Sequence, residues 1–167
     1  AVAEKEDIKH IILNGDVIDG ARVSRHPPIG WESRPQLYEE LEAAQSILSK
    51  IIKATPKAQH IWPAGNHDLR QETRLASVAP EFAKIKGVHL RDHFQDWTPC
   101  WSCWINDDVV VKHREKGGTH ATHNNTVAAG KTIVTGHLHA LKVTPFTDYR
   151  GTRWGVDCGT LADVYGQ

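Results

Sequence analysis

The chain has 167 residues, of which 40% are hydrophobic and 24% are charged. This length and composition are typical of one globular domain with a hydrophobic core, so we expect a single domain over residues 1–167. The formal net charge is +0, which offers no global basic field for nucleic acid. No apolar run approaches the ~20 residues that span a bilayer, so no membrane partner is expected.

The first half of the chain alternates short apolar runs with segments of helical spacing, and a long loop with three prolines interrupts it. Each apolar run ends in a glycine-containing polar loop. In chain order, the pattern predicts a strand at 9–13, a loop at 20–35, a helix at 36–54, a strand at 60–63, a helix at 69–86 broken at Pro80, and a short strand at 87–90.

The second half is rich in hairpin signals. Its predicted elements are strands at 99–105 and 109–113, a helix at 117–129, a strand at 131–135, and strands at 141–148 and 152–157. This order indicates an α/β or α+β fold with a mixed sheet or two stacked sheets and helices outside. Cys100, Cys103 and Cys158 are interpreted as buried or half-buried thiols without function, since no second CxxC accompanies the first.

Polar motifs follow several of the predicted strands. They are Gly15-Asp16-Val17-Ile18-Asp19, Gly65-Asn66-His67-Asp68, His113, and Gly136-His137-Leu138-His139. Carboxylate, amide and imidazole ligands together suit Mn²⁺, Fe, Zn²⁺ or Ni²⁺ better than Ca²⁺ or Mg²⁺. Two such ions ~3.5–4 Å apart support phosphoester hydrolysis. The pattern therefore favours a metal-assisted phosphoester reaction.

These motifs resemble the calcineurin-like metallophosphoesterase superfamily, whose pattern runs DxH, GDxxD, GNH[DE], a histidine after a strand, and GHxH. The last four motifs match in order from Asp16 to His139, and the segments at 65–70 and after His113 look most like small phage and bacterial metallophosphatases. The resemblance implies a four-layer α/β/β/α sandwich of two mixed sheets flanked by helices. It also implies a phosphodiesterase or phosphatase that hydrolyses phosphoesters with a metal-bound hydroxide, in the cytoplasm of a bacterial or phage-infected cell.

The resemblance also implies a role for each matching residue. Asp16 would bridge two divalent ions, Asn66, His113 and His137 would complete one site, and His139 would belong to the other. His67 would act on the phosphoryl or leaving oxygen, with Asp68 orienting its imidazole. Asp19 would support the loop or a ligand without binding metal itself. Arg114 stands where the family usually has a glycine. The nearby His120 and His123 could compete with His113 for the metal, although both fall in a predicted helix.

The expected substrate is a small phosphoester or a nucleotide, and nucleic acid remains open. Arg25 and Arg70 are candidate phosphate contacts, as are Arg22 and His26, although solvated loop charges explain these residues equally well. Trp31 in the proline-containing loop is a candidate for stacking on the substrate.

The chain departs from the family pattern in one respect, because no DxH motif precedes Asp16. Two explanations stay open: a chain truncated before its first strand and perhaps also at its C-terminus, or a natural short form with one degraded metal site that binds a single ion. The alternatives to a phosphoesterase are a non-catalytic metal- or phosphate-binding module and a nuclease acting on nucleic acid ends.

Overall fold

The computed structural model describes residues 7–163. It is a mixed α/β structure with two sheets and four α-helices, as the sequence predicts at this level. The chain divides into two compact units, Ala1–Cys100 and Trp101–Gln167. None of the described helices is long and apolar enough to cross a bilayer. The four-layer arrangement and the single domain stay predictions.

The first unit contains a parallel three-stranded sheet in the order β1-β2-β3. Its strands are β1 His10–Ile12, β2 Gln59–Pro63 and β3 Thr98–Cys100. Parallel neighbours need crossover connections, and helical segments provide them here. The prediction of two mixed sheets is therefore wrong for this sheet within the described residues, because both of its pairings are parallel.

Helix α1 Leu37–Ala54 contributes most of the helical residues in the hydrophobic core of this unit. A reciprocal capping box between Gln36 and Glu39 starts it, close to the predicted boundary. The buried core cluster combines residues of α1 with residues from a second helix, the loops and the strands: Ile18, Leu41, Ala44, Leu48, Trp62, Leu90, Phe94 and Trp97.

The segment after β2 differs from the prediction at its C-terminal end. Helix α2 Leu69–Val78 stops before Pro80, as expected, but only a 3₁₀ turn at Pro80–Phe82 follows it. The predicted strand at 87–90 is wrong. His89 instead precedes the short helix α3 Leu90–His93, and Asp92 in that helix accepts the backbone N–H of His89 at 3.4 Å.

The predicted strand at 99–105 is also wrong as one element. It forms two strands in different sheets, β3 and β4 Cys103–Asn106, and Trp101 between them is 71% exposed. A buried strand therefore does not continue through Trp101. Cys100 and Cys103 are half-buried as predicted, whereas Cys158 is exposed.

The second unit contains a mixed five-stranded sheet in the order β4-β5-β6-β8-β7. The remaining strands are β5 Val109–Val111, β6 Thr132–Thr135, β7 Lys142–Asp148 and β8 Gly151–Asp157. Both predicted hairpins are confirmed as antiparallel pairs. Helix α4 Ala121–Ala129 begins later than predicted, because Gly118 has a φ of 94° that no α-helix accommodates.

Helix α4 packs directly on β8 at Gly155. A Cβ at this position would collide with the carbonyl oxygen of Thr122 and the hydroxyl of Thr126. The close approach explains why a glycine stands in the middle of this strand. It also fixes which face of the sheet the helix covers.

Candidate functional site

Asp16 lies in the sharp turn that follows β1. Its backbone has a φ of 54°, in the left-handed region that non-glycine residues rarely adopt. The Oδ1 atom of Asp16 accepts a hydrogen bond of 2.9 Å from the backbone N–H of His67. The first two predicted motifs of the chain therefore meet at the Asp16 carboxylate, as the sequence predicts for strand ends of a parallel sheet.

Gly65 makes this approach possible. A Cβ at position 65 would overlap the carboxylate oxygen and the backbone nitrogen of Asp16, and it would lie 2.9 Å from Asp16 Cγ. Real Cβ atoms do not approach that closely, so any other residue would displace the carboxylate. The glycine of the Gly65-Asn66-His67-Asp68 motif is therefore required because the Asp16 carboxylate occupies the space of a side chain.

Asp68 is a buried acceptor at the centre of this loop. Its Oδ2 accepts from the backbone N–H groups of Asp16 at 2.9 Å and Gly65 at 2.8 Å, and from Trp62 Nε1 at 2.9 Å. Its Oδ1 accepts from the backbone N–H of Val17 at 2.8 Å. Burial raises the pKa of Asp68, while the bonds from Gly65, Trp62 and Val17 act in the opposite direction.

The predicted contact between Asp68 and the His67 ring is replaced by another one. Both oxygens of Asp68 are engaged by the Asp16 turn, Gly65 and Trp62, and the side chain is 1% exposed. The carboxylate beside the ring is that of Asp19, whose Oδ1 lies 2.7 Å from His67 Nδ1. Asp19, which the sequence predicts as a supporting residue, therefore contacts the histidine directly.

Arg70 completes this array. Its Nη1 donates to the backbone oxygen of Asp19 at 2.7 Å and to Asp19 Oδ1 at 3.0 Å, and its Nη2 lies 3.2 Å from His67 Nε2. A guanidinium can only donate, so Nε2 accepts and Nδ1 carries the proton toward Asp19. Asp19, His67 and Arg70 thus form a continuous hydrogen-bonded chain at the start of α2.

The loop at 20–35 uses one predicted phosphate contact for its own structure. Arg22 donates from Nε and Nη2 to the carbonyl oxygen of Arg34, and Arg34 donates to that of Ala21 at 2.9 Å. These bonds tie the two ends of the loop together. Arg25 and His26 are exposed, and Trp31 is 90% exposed. Their predicted substrate contacts stay predictions.

In the second unit, His113 and His137 follow the neighbouring parallel strands β5 and β6. Their rings are edge to face, with centroids 5.5 Å apart, and a ring nitrogen of each lies within 4.8 Å of the other. The N–H of Gly136 donates to the carbonyl oxygen of His113 at 3.0 Å, which extends the strand pairing to these residues. His113 is buried, with 3% of its surface exposed.

The loop at 136–141 carries two strained residues. His137 has a φ of 51° and His139 a φ of 57°. Together with Asp16, they are the three non-glycine residues with positive φ in the described part of the chain. Asn66 is half-buried beside Gly65 and is the fifth predicted ligand.

Asp157 is a residue of interest that the sequence reasoning missed. It ends β8, is 1% exposed, and its pKa is raised by burial and lowered in turn by backbone hydrogen bonds and by the charges of His139 and His137. Its signal was an acid and a glycine after an apolar strand, in Val156-Asp157-Cys158-Gly159, which is the composition of the other predicted loops.

The donor chemistry fits a borderline divalent ion. The predicted ligands offer a carboxylate, an amide oxygen and imidazoles, and two of the histidines lie close enough to face a common ion. No match was found when the chain was compared with known protein families, curated proteins and solved structures. The family resemblance therefore stays a prediction that depends on the motifs.

Proposed function

We propose that this protein is a metal-dependent phosphoesterase, a phosphodiesterase or phosphatase of the metallophosphoesterase type. The observation that carries the proposal is the backbone strain. Within residues 7–163, positive φ in a non-glycine residue occurs at Asp16, His137 and His139, and all three are predicted metal ligands.

Strain of this kind costs about 1–3 kcal/mol per residue, and it persists only where surrounding contacts impose it. At Asp16 the imposing contacts are visible, since Asp68 binds its backbone N–H and Gly65 leaves room for its carboxylate. Two explanations of these positive φ values are possible: ordinary turns, or a backbone shaped to present metal ligands. Because all three positions are predicted ligands, the second explanation is favoured.

Asp16, Asn66, His113, His137 and His139 would hold the metal, with two ions expected from the resemblance and one if a site is degraded. When bound, Mn²⁺, Fe, Zn²⁺ or Ni²⁺ polarises a phosphoryl oxygen and lowers the pKa of a coordinated water. The stacking of the two sheets as a four-layer sandwich is part of the proposal and is drawn from the resemblance.

The chain of Asp19, His67 and Arg70 supplies the groups that would act on the substrate. Arg70 offers donors to a phosphate oxygen, and guanidinium binds phosphate well. When a phosphate draws Arg70 to itself, Nε2 of His67 is free to take up a proton from solvent. The imidazolium would then give that proton to the leaving oxygen and return to the neutral ring. Asp19 keeps the ring oriented during this exchange, the role that the sequence assigns to Asp68.

The test is hydrolysis of bis-p-nitrophenyl phosphate and p-nitrophenyl phosphate by the Mn²⁺-loaded protein. We expect turnover that Asp16→Asn and His137→Ala abolish and that the surface variant Asp148→Asn preserves. Absence of turnover in a folded protein that binds Mn²⁺ would overturn the proposal in favour of a non-catalytic binding module. Release of nucleotides from nucleic acid ends, with neither small ester hydrolysed, would favour the nuclease.

A further inference from the structure

Asp157 lies at the point where the histidine-bearing loop begins and ends. Its register partners are Thr135 at the end of β6 and Lys142 at the start of β7. The loop at 136–141 leaves the sheet after Thr135 and returns to it at Lys142. Both ends of this loop, which carries His137 and His139, are therefore beside Asp157.

The carboxylate of Asp157 is only partly satisfied by the protein. Its Oδ1 accepts a hydrogen bond of 3.1 Å from the N–H of Gly159. The backbone N–H of Ala140, inside the histidine-bearing loop, also favours the ionised form of this carboxylate. No donor lies within hydrogen-bonding geometry of the buried Oδ2 among the residues that the structure describes. A buried carboxylate oxygen without a donor is costly, so its retention calls for a specific reason.

The positive groups that act on this carboxylate are the loop histidines. Burial raises the pKa of Asp157, and the N–H groups of Gly159 and Ala140, followed by the charges of His139 and His137, lower it. Lys142 is the nearest alternative cation by register, but its Nζ donates to the carbonyl oxygen of Thr119 at 3.1 Å. The loop histidines are therefore the candidate donors for the remaining acceptor of Asp157.

We propose that Asp157 is the positioning residue of His139, and that its Oδ2 accepts a hydrogen bond from one ring nitrogen while the other binds a divalent cation. Outer carboxylates of this kind fix the tautomer and the orientation of a metal-binding histidine. The pairing also helps to hold His139 in its strained backbone conformation, with a φ of 57°. The inference rests on the metal binding of the proposed function.

The experiment compares Asp157→Asn with Asp148→Asn, which removes a carboxylate at the other end of the same hairpin. Calorimetric titration with Mn²⁺ should show affinity weakened about 10- to 100-fold in Asp157→Asn and unchanged in Asp148→Asn. Asparagine keeps the size of the side chain and an acceptor for Gly159, so the variant is expected to fold.

A second measurement needs no metal. In ¹⁵N spectra of the metal-free protein, the ring nitrogens of His139 should report a changed tautomer in Asp157→Asn and an unchanged one in Asp148→Asn. Unaltered His139 signals together with unaltered Mn²⁺ affinity would overturn the inference. If the wild-type protein binds no Mn²⁺, the proposed function fails, and the ring signals decide the pairing of Asp157 with His139 on their own.

Discussion

Asp68 binds the backbone of Asp16: its Oδ2 accepts the N–H of that residue at 2.9 Å, across a sequence separation of 52 residues. The last residue of the Gly65-Asn66-His67-Asp68 motif thus holds the turn that presents a predicted metal ligand. Asp68 thus stabilises the turn that carries Asp16, whereas the carboxylate that contacts the His67 ring is that of Asp19.

Replacement of Asp68 by alanine should destabilise the protein even without metal. The change leaves four donors without their acceptor, namely the buried N–H of Gly65 and indole of Trp62 and the partly buried N–H groups of Asp16 and Val17. We expect a loss of about 3 kcal/mol or more in the free energy of unfolding, measured by urea denaturation of the metal-free protein. A loss below about 0.5 kcal/mol would contradict the role of Asp68 as the organiser of this turn.

Replacement of Asp19 by asparagine should have the opposite profile. The side chain is 56% exposed, so unfolding should change little, within about 0.5 kcal/mol. Because a neutral amide accepts more weakly from Nδ1 and stabilises a protonated His67 ring less than the carboxylate does, kcat for bis-p-nitrophenyl phosphate should fall about 10- to 100-fold. The removal of the ring in His67→Ala should cost about 10²- to 10⁴-fold. A wild-type kcat in Asp19→Asn would contradict the role of Asp19 in orienting the His67 ring.

Gly65→Ala should damage both stability and metal binding. The added methyl group overlaps the Asp16 carboxylate, and overpacking of this kind costs about 1–3 kcal/mol. Gly117→Ala is the matched control, since a Cβ there meets nothing within 4 Å. Thermal unfolding and Mn²⁺ titration of the two variants should differ clearly. Equal behaviour would show that the Asp16 turn tolerates displacement.

The contacts of His89, which lies outside the candidate site, predict that the stability of the protein depends on pH. Its Nδ1 lies 2.7 Å from Glu72 Oε2 and its Nε2 lies 2.7 Å from the carbonyl oxygen of Ala83, so only the protonated ring donates to both. The bond to Ala83, followed by that to Glu72, raises the pKa of His89 above its usual 6.5. The stabilisation is thus complete below that usual value and is lost as the pH rises through the folded pKa.

The test of this dependence is thermal unfolding of His89→Gln and wild-type protein from about pH 5.5 to 9. The difference in Tm should be largest at acidic pH and should shrink as the pH rises. His26→Gln serves as the control for the loss of an exposed histidine. A difference in Tm that stays constant over this range would contradict the stabilising role of the protonated His89 ring.

Patterns of local chemistry predicted much of the fold. The helical spacing of α1, the turn residues of both hairpins and the apolar runs before Asp16 and Asn66 each depend on neighbours in sequence, and the structure follows them. The failed elements depend on contacts that are distant in sequence. The strand at 99–105 splits because β3 and β4 pair in different sheets, which no local pattern encodes.

The candidate site shows the same division. The sequence placed Asp16 and the Gly65 motif at strand ends, and these meet. It could not assign the partners of each carboxylate, because Asp68 and Asp19 are both near His67 in the expected fold and only the hydrogen bonds distinguish them. Asp157 escaped notice because its significance depends on burial and on the register of β6, β7 and β8.

The central claim is that Asp16 and the loop histidines bind metal for phosphoester hydrolysis. The most direct measurement is Mn²⁺-dependent hydrolysis of bis-p-nitrophenyl phosphate by wild-type protein, Asp16→Asn and the control Asp148→Asn, with bound metal determined on the same samples. The account predicts turnover and bound metal in the wild type and the control, and loss of both in Asp16→Asn. Full turnover or full metal content in Asp16→Asn would contradict it.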